Sequence, residues 1–148
     1  KVLVVDDNED SRYVLMSYLR HFGASVVTAQ SGGEALALAG QTQCHVIVSD
    51  LSMPGITGGE FLRRLRALPG QSENTPPAIA VTAFDDRAAR QGARDDGFSV
   101  YLAKPVDPTV VVREVERVFH EAQASSRRGR VQVLTGRSVS RQDTGRSM

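Results

Sequence analysis

The sequence predicts an α/β fold, a doubly wound five-stranded parallel sheet with helices on both faces, and three observations carry that prediction. Short apolar runs, Val2-Leu3-Val4-Val5, Val46-Ile47-Val48 and Val100-Tyr101-Leu102-Ala103, are continuous rather than alternating, as suits strands buried on both faces. Strand-like and helix-like segments alternate from end to end, the signature of a parallel sheet with crossover helices. The runs are also closed by charged residues: Asp6 and Asp7 after the first, Asp50 after the second and Lys104 after the third. In an open parallel sheet, ligands bind in the crevice beyond the carboxyl ends of the strands, so these four side chains are expected at one pole of the molecule.

The elements follow in order. Strands are predicted over 2–5, 25–29, 45–49, 78–82 and 99–103. The first helix, 9–22, places Val14, Leu15, Tyr18, Leu19 and Phe22 on one stripe as core candidates, and Gly23 stops it. The second, 33–41, offers Ala35, Leu36 and Leu38. The third, 58–68, is expected to bury Phe61, Leu62, Leu65 and Leu68 and to turn Arg63, Arg64 and Arg66 outward. Pro69-Gly70 ends it, and 69–77 reads as a polar loop closed by Pro76-Pro77. The fourth helix, 86–96, has only Ala88, Ala89 and Ala93 as apolar contacts, which marks it as a weakly held, mobile element. The fifth opens with Asp107 as N-cap and Pro108 at the first helical position, where a missing N–H costs nothing, and lines its inner face with Val111, Val115 and Val118.

At 148 residues the chain is long enough for one core and too short for two. Residues 1–121 carry twelve Lys/Arg against sixteen Asp/Glu, a net of −4, and residues 122–148 carry six Arg against Asp143 alone, a net of +5. The body, 1–121, is therefore read as the functional domain and 122–148 as a basic, disordered tail rich in Ser, Arg, Gly and Gln. That tail lacks the aromatics, periodicity and module of a nucleic-acid reader and is too short for a helix-turn-helix domain. No run is long enough to span a membrane. A single cysteine, Cys44, fits a reducing cytoplasm. The chain opens directly on a strand at Lys1 with no initiator Met, which suggests trimming or excision from something longer.

Three crowded carboxylates repel one another unless a cation sits among them. Oxygen ligands without His or Cys favour magnesium, which keeps several waters and accepts phosphate oxygens. Lys104 supplies a point charge for the same phosphate, and Thr82, at the end of the fourth strand, a hydroxyl donor. A carboxylate so placed is a nucleophile toward phosphorus.

Val4-Val5-Asp6-Asp7-Asn8, Ser49-Asp50-Leu51-Ser52-Met53-Pro54-Gly55, Val81-Thr82-Ala83 and Tyr101-Leu102-Ala103-Lys104-Pro105 resemble the receiver domains of two-component response regulators, in order and spacing, over about residues 1–121. The resemblance implies a flavodoxin-like sheet and gives each residue a role. Asp50 would accept a phosphoryl group from the phosphohistidine of a histidine kinase or histidine phosphotransfer protein. Asp7 would bind Mg2+ directly, Asp6 largely through water, and the Ser52 backbone carbonyl would complete the protein ligands. Thr82 and Lys104 would hold the phosphate, Lys104-Pro105 would be cis, and Tyr101 would be an aromatic switch. The face made of the fourth helix, fifth strand and fifth helix would bind a downstream protein; a homodimer stays open. Ser52 and Phe84 occupy positions that in this family influence phosphate loss, and the bulk of Phe84 is expected to slow it. Similarity in 103–108 leans toward the C-terminal receiver of a hybrid histidine kinase, with a free-standing receiver as the other context.

Blander readings stand beside these. Asp6 or Asp7 alone would be a helix cap, Thr82 an ordinary strand residue, Tyr101 a packed aromatic, and His21, His45 and His120 structural or surface residues. A phosphatase with an aspartyl-phosphate intermediate is a different class, but the acid it needs two residues past its nucleophile is Ser52 here. No glycine-rich dinucleotide fingerprint or P-loop is present. A receiver-like interaction module that takes no phosphate is the remaining alternative.

Overall fold

A computed structural model describes residues 1–71, 74–83 and 85–146, with side chains up to Arg128. Five strands, β1 (Val2–Val5), β2 (Val26–Ala29), β3 (Val46–Ser49), β4 (Ala78–Thr82) and β5 (Val100–Ala103), form one sheet in the order β2-β1-β3-β4-β5. Every pairing is parallel. Five helices alternate with them: α1 (Glu9–His21), α2 (Gly32–Gln41), α3 (Gly58–Ala67), α4 (Arg87–Asp96) and α5 (Pro108–Arg146). The strand order reverses around β1, which pairs with β2 on one side and β3 on the other. The crevice at that switch point is where side chains at the ends of β1 and β3 converge.

Alternation within each strand divides the core in two. Leu3, Val5, Ile47, Ala78 and Ala80 face Ala35 of α2, Phe61, Leu62 and Leu65 of α3, and Ala93 of α4. Val2, Val4, Val46, Val48, Ile79 and Val81 face Leu15 and Leu19 of α1 and Val111, Val112, Val115 and Val118 of α5. Burial on both sides is why these strands read as unbroken apolar runs.

Side-chain capping sets the starts of the first four helices. Asn8, Ser31, Thr57 and Asp86 each accept from the backbone N–H three residues on, which satisfies a donor the helix leaves orphaned. Asp107 accepts from the Thr109 N–H at 2.9 Å, as expected for the start of α5.

Three expectations about side-chain placement need correction. On α1, Leu15 and Leu19 are buried, but Val14, Tyr18 and Phe22 are 41%, 41% and 54% exposed. A flat sheet covers only one flank of a helix: Val14 and Tyr18 lie about 100° round from Leu15 and Leu19, and Phe22 is the C-cap, past the last residue of α1. Leu68 is 37% exposed because the chain turns extended there and leaves α3. Arg63 and Arg66 do not simply face solvent: Arg63 is ion-paired with Asp96, and the Arg66 Nη2 donates to the Gly97 carbonyl at 3.2 Å. Helix α4 buries only Ala93, so this polar bracing from α3 holds its C-terminal end. The backbone of α5 continues helically through 122–146, where the sequence reading places a disordered tail; no proline follows Pro108 to stop it, and Ser125–Arg128 are exposed throughout. Phe84 and part of the 69–77 loop lie outside the described residues. No helix among the described residues is long and apolar enough to cross a membrane.

Candidate functional site

The sheet delivers Asp6 and Asp50 side by side. β1 and β3 pair Val5 with Ser49, and the Asp50 N–H donates to the Val5 carbonyl at 2.9 Å, so the residues just past these strands emerge together. Asp6, Asp7 and Asp50 each present a carboxylate oxygen within 4.8 Å of the others. Asp6 is 2% exposed; Asp50 is 8% exposed as a residue and 10% as a side chain. Asp7, one residue further out, is exposed.

Lys104 closes the cluster. Its Nζ donates to Asp6 Oδ2 at 2.9 Å and to Asp50 Oδ2 at 3.0 Å. The Lys104 N–H is anchored to the Thr82 carbonyl at 2.8 Å, which continues the β4–β5 ladder one residue beyond its strand. The Lys104–Pro105 peptide is cis. Partial burial alone would lower the Lys104 pKa, but its hydrogen bonds and charge contacts with Asp6 and Asp50 outweigh that, and the net direction is upward. The other carboxylate oxygens are also held: Asp6 Oδ1 accepts the Asn8 N–H at 2.9 Å and Asp50 Oδ1 accepts the Ser52 N–H at 3.0 Å. The site is thus pre-built from three carboxylates, one ammonium and backbone donors.

The loop after Asp50 needs two glycines. Gly55 has φ +77°, a conformation strained for side-chain-bearing residues. Gly58, the first residue of α3, packs so closely that a Cβ there would lie 2.3 Å from the Asp50 carbonyl oxygen. This contact sets how near α3 can come to the site.

Thr82 is fully buried at the end of β4. Tyr101, on β5, is half-buried, with the Arg90 guanidinium 5.3 Å from its ring centroid. Arg90 is in turn held by Asp85, with Nε to Oδ1 at 2.8 Å. Burial pushes the Tyr101 phenol pKa up, the Asp85 carboxylate adds to this, and Arg90 partly offsets it. The Tyr101 hydroxyl is buried with no hydrogen-bond partner among the described residues. An unpaired buried hydroxyl carries a desolvation penalty, so Tyr101→Phe is expected to raise stability by about 1 kcal/mol, read as a higher denaturant midpoint; a lower midpoint would refute the unpaired state.

The structure therefore brings Asp6, Asp7, Asp50 and Lys104 together as the sequence predicts and puts Thr82 and Tyr101 on the adjoining strands. Sequence reasoning missed Asn8, at the N-cap of α1, and Arg12, in its first turn, which both hold Asp6. Asn8 was legible as an N-cap ahead of an apolar stripe. The contact of Arg12, through a backbone carbonyl, leaves no pattern in a sequence.

The chain matches the response regulator receiver domain over residues 2–116, and it belongs to that family, the receiver domains of two-component systems. Over 116 residues it is 42% identical to an uncharacterized 14.6 kDa protein of Leptolyngbya boryana, covering 78% of this chain and 87% of that one. Protein PilH of Pseudomonas aeruginosa is 34% identical over 124 residues, 80% of this chain and 97% of its own length. Among solved structures, chemotaxis protein CheY4 of Vibrio cholerae superposes with a TM-score of 0.73 at 34% identity, covering 79% of this chain and 96% of that one.

Proposed function

We propose that this receiver domain takes a phosphoryl group onto Asp50 from the phosphohistidine of a histidine kinase or histidine phosphotransfer protein. The observation that carries this reading is the placement of the Asp50 carboxylate: recessed, ion-paired with Lys104 and within 4.8 Å of two further carboxylates. Such a cluster fits magnesium, since it offers only hard oxygen ligands, and Asp6, Asp7, Asp50 and the Ser52 carbonyl are the residues that would hold it. Magnesium bound there would offset the charge on the phosphoryl oxygens.

The chain's own residues do the rest. An Asp50 carboxylate oxygen attacks phosphorus, the P–N bond to the imidazole breaks, and its electron pair returns to the histidine nitrogen. Lys104, already within hydrogen-bond reach of Asp50, exchanges that contact for a phosphoryl oxygen. Thr82, buried at the end of β4, is the hydroxyl that would donate to another. The new dianion adds strong acceptors beside β4 and β5, and α4, which buries only Ala93, is the element that can respond. A changed α4–β5–α5 face is then the signal offered to a downstream protein. Ser52 leaves no acid two residues past Asp50, which favours holding the phosphate over turning it over.

The test is incubation with Mg2+ and a small acyl-phosphate donor, followed by intact mass. One added phosphoryl group is expected in the wild type and none in Asp50→Asn. A wild type that gains none with donor and Mg2+ in excess would favour an inert interaction module.

A further inference from the structure

Arg12 has no part in the phosphoryl-transfer reading, yet it is bound to the centre of the site. It lies on α1, half-buried, and its Nη1 donates to the Asp6 backbone carbonyl at 2.8 Å. The Asp6 N–H donates to the Ala29 carbonyl at 3.1 Å, and both Asp6 carboxylate oxygens are held by Asn8 and Lys104. With Arg12 in place, every polar atom of Asp6 is fixed.

The carbonyl that Arg12 grips belongs to the Asp6–Asp7 peptide. A peptide unit is planar, so fixing its oxygen orients its N–H and the bond on which Asp7 is carried. Asp7 itself is exposed, and no described side chain holds its carboxylate. Its direction toward Asp6 and Asp50 is set by the backbone.

We propose that Arg12 is a positioning residue for the cation site: it aims Asp7 through the Asp6–Asp7 peptide and touches neither the ion nor the phosphate. This rests on the reading that Asp6, Asp7 and Asp50 hold magnesium. The role is separable from simple charge. A guanidinium bound at the Asp6 backbone carbonyl repels a second cation at the cluster, so if charge were its whole contribution, its removal would tighten Mg2+ binding. If positioning dominates, its removal weakens binding, as loss of an outer-shell partner does in metal sites.

The test is titration of Mg2+ alone into the full chain by calorimetry, for wild type, Arg12→Ala and Arg12→Lys, with amide hydrogen exchange at Asp7 and Asn8. Arg12→Ala is expected to bind about tenfold more weakly and to exchange faster at both amides. Arg12→Lys keeps the charge and one shorter donor and should recover only part of the affinity. Affinity in Arg12→Ala equal to or above wild type overturns the proposal. Should Arg12→Ala fail to fold, Arg12→Lys decides: full wild-type affinity with unchanged exchange overturns it, and weaker affinity with an intact unfolding midpoint supports it. A wild type that binds no Mg2+ instead overturns the magnesium reading, and the role of Arg12 with it.

Discussion

Lys104→Ala is expected to lower the stability of the metal-free protein by about 2–3 kcal/mol, read as a shift in the urea midpoint. The ammonium lies between Asp6 and Asp50, at 2.9 and 3.0 Å, and these two carboxylates are nearly sealed from solvent. Removing one partner of a buried pair leaves the other charge uncompensated, a loss of about 3–5 kcal/mol when burial is complete. The Lys104 side chain is 25% exposed, which reduces the figure. Two controls separate this from ordinary truncation. Millimolar Mg2+ should restore part of the lost stability, because it binds the folded state alone. Asp50→Asn in the Lys104→Ala background should also restore stability, since it removes one of the two facing charges. The same double substitution would lower stability further if Lys104 contributed only packing.

The pH dependence follows from the upward direction of the Lys104 pKa. A group whose pKa is raised on folding binds its proton more tightly in the folded state. Its contribution is complete below the unfolded value of about 10.5 and fades as pH rises above it. The wild type should therefore lose stability in strongly alkaline solution, and Lys104→Ala should lose less there. Unfolding midpoints from pH 9 upward check this; parallel curves for the two proteins would refute it.

Much of this was legible in the sequence because the responsible forces are local or periodic. Continuous runs such as Val2–Val5 announce strands covered on both faces, and a charged residue just past each run must lie at the carboxyl edge. Asp6, Asp50 and Lys104 were recoverable for that reason, although they are 54 and 98 residues from one another across the Lys104 contacts. What failed was geometry set by neighbours. Val14, Tyr18 and Phe22 share an apolar stripe with Leu15 and Leu19, and only the position of the sheet decides which flank is covered. Arg63 and Arg66 look like a solvated face until α4 arrives beside them. Arg12 acts on a carbonyl that every residue possesses, so nothing in the side-chain pattern marks it.

Gly58→Ala should produce the second large effect, and it tests how rigidly the scaffold sets Asp50. By intrinsic propensity alone, alanine in a helix is favoured over glycine by about 1 kcal/mol. At Gly58 that gain is overridden: a Cβ would meet the Asp50 carbonyl oxygen at 2.3 Å and the Leu51 Cα at 3.0 Å. Neither is a flexible side-chain end, so the backbone must shift, at a cost of about 1–3 kcal/mol. The displaced carbonyl is that of Asp50 itself, one peptide from the Ser49 ladder, so the displacement reaches the carboxylate directly. A shift near 1 Å at a reacting group costs about 100-fold in rate, and the phosphorylation rate with an acyl-phosphate donor should fall on that scale. Gly33→Ala is the matched comparison, a helical glycine in α2 with nothing within 4 Å of its Cβ position. It should raise stability by about 0.5–1 kcal/mol and leave phosphorylation unchanged. If Gly58→Ala took phosphate at the wild-type rate, the loop after β3 would be able to move away without carrying Asp50. The close packing of α3 would then serve stability alone.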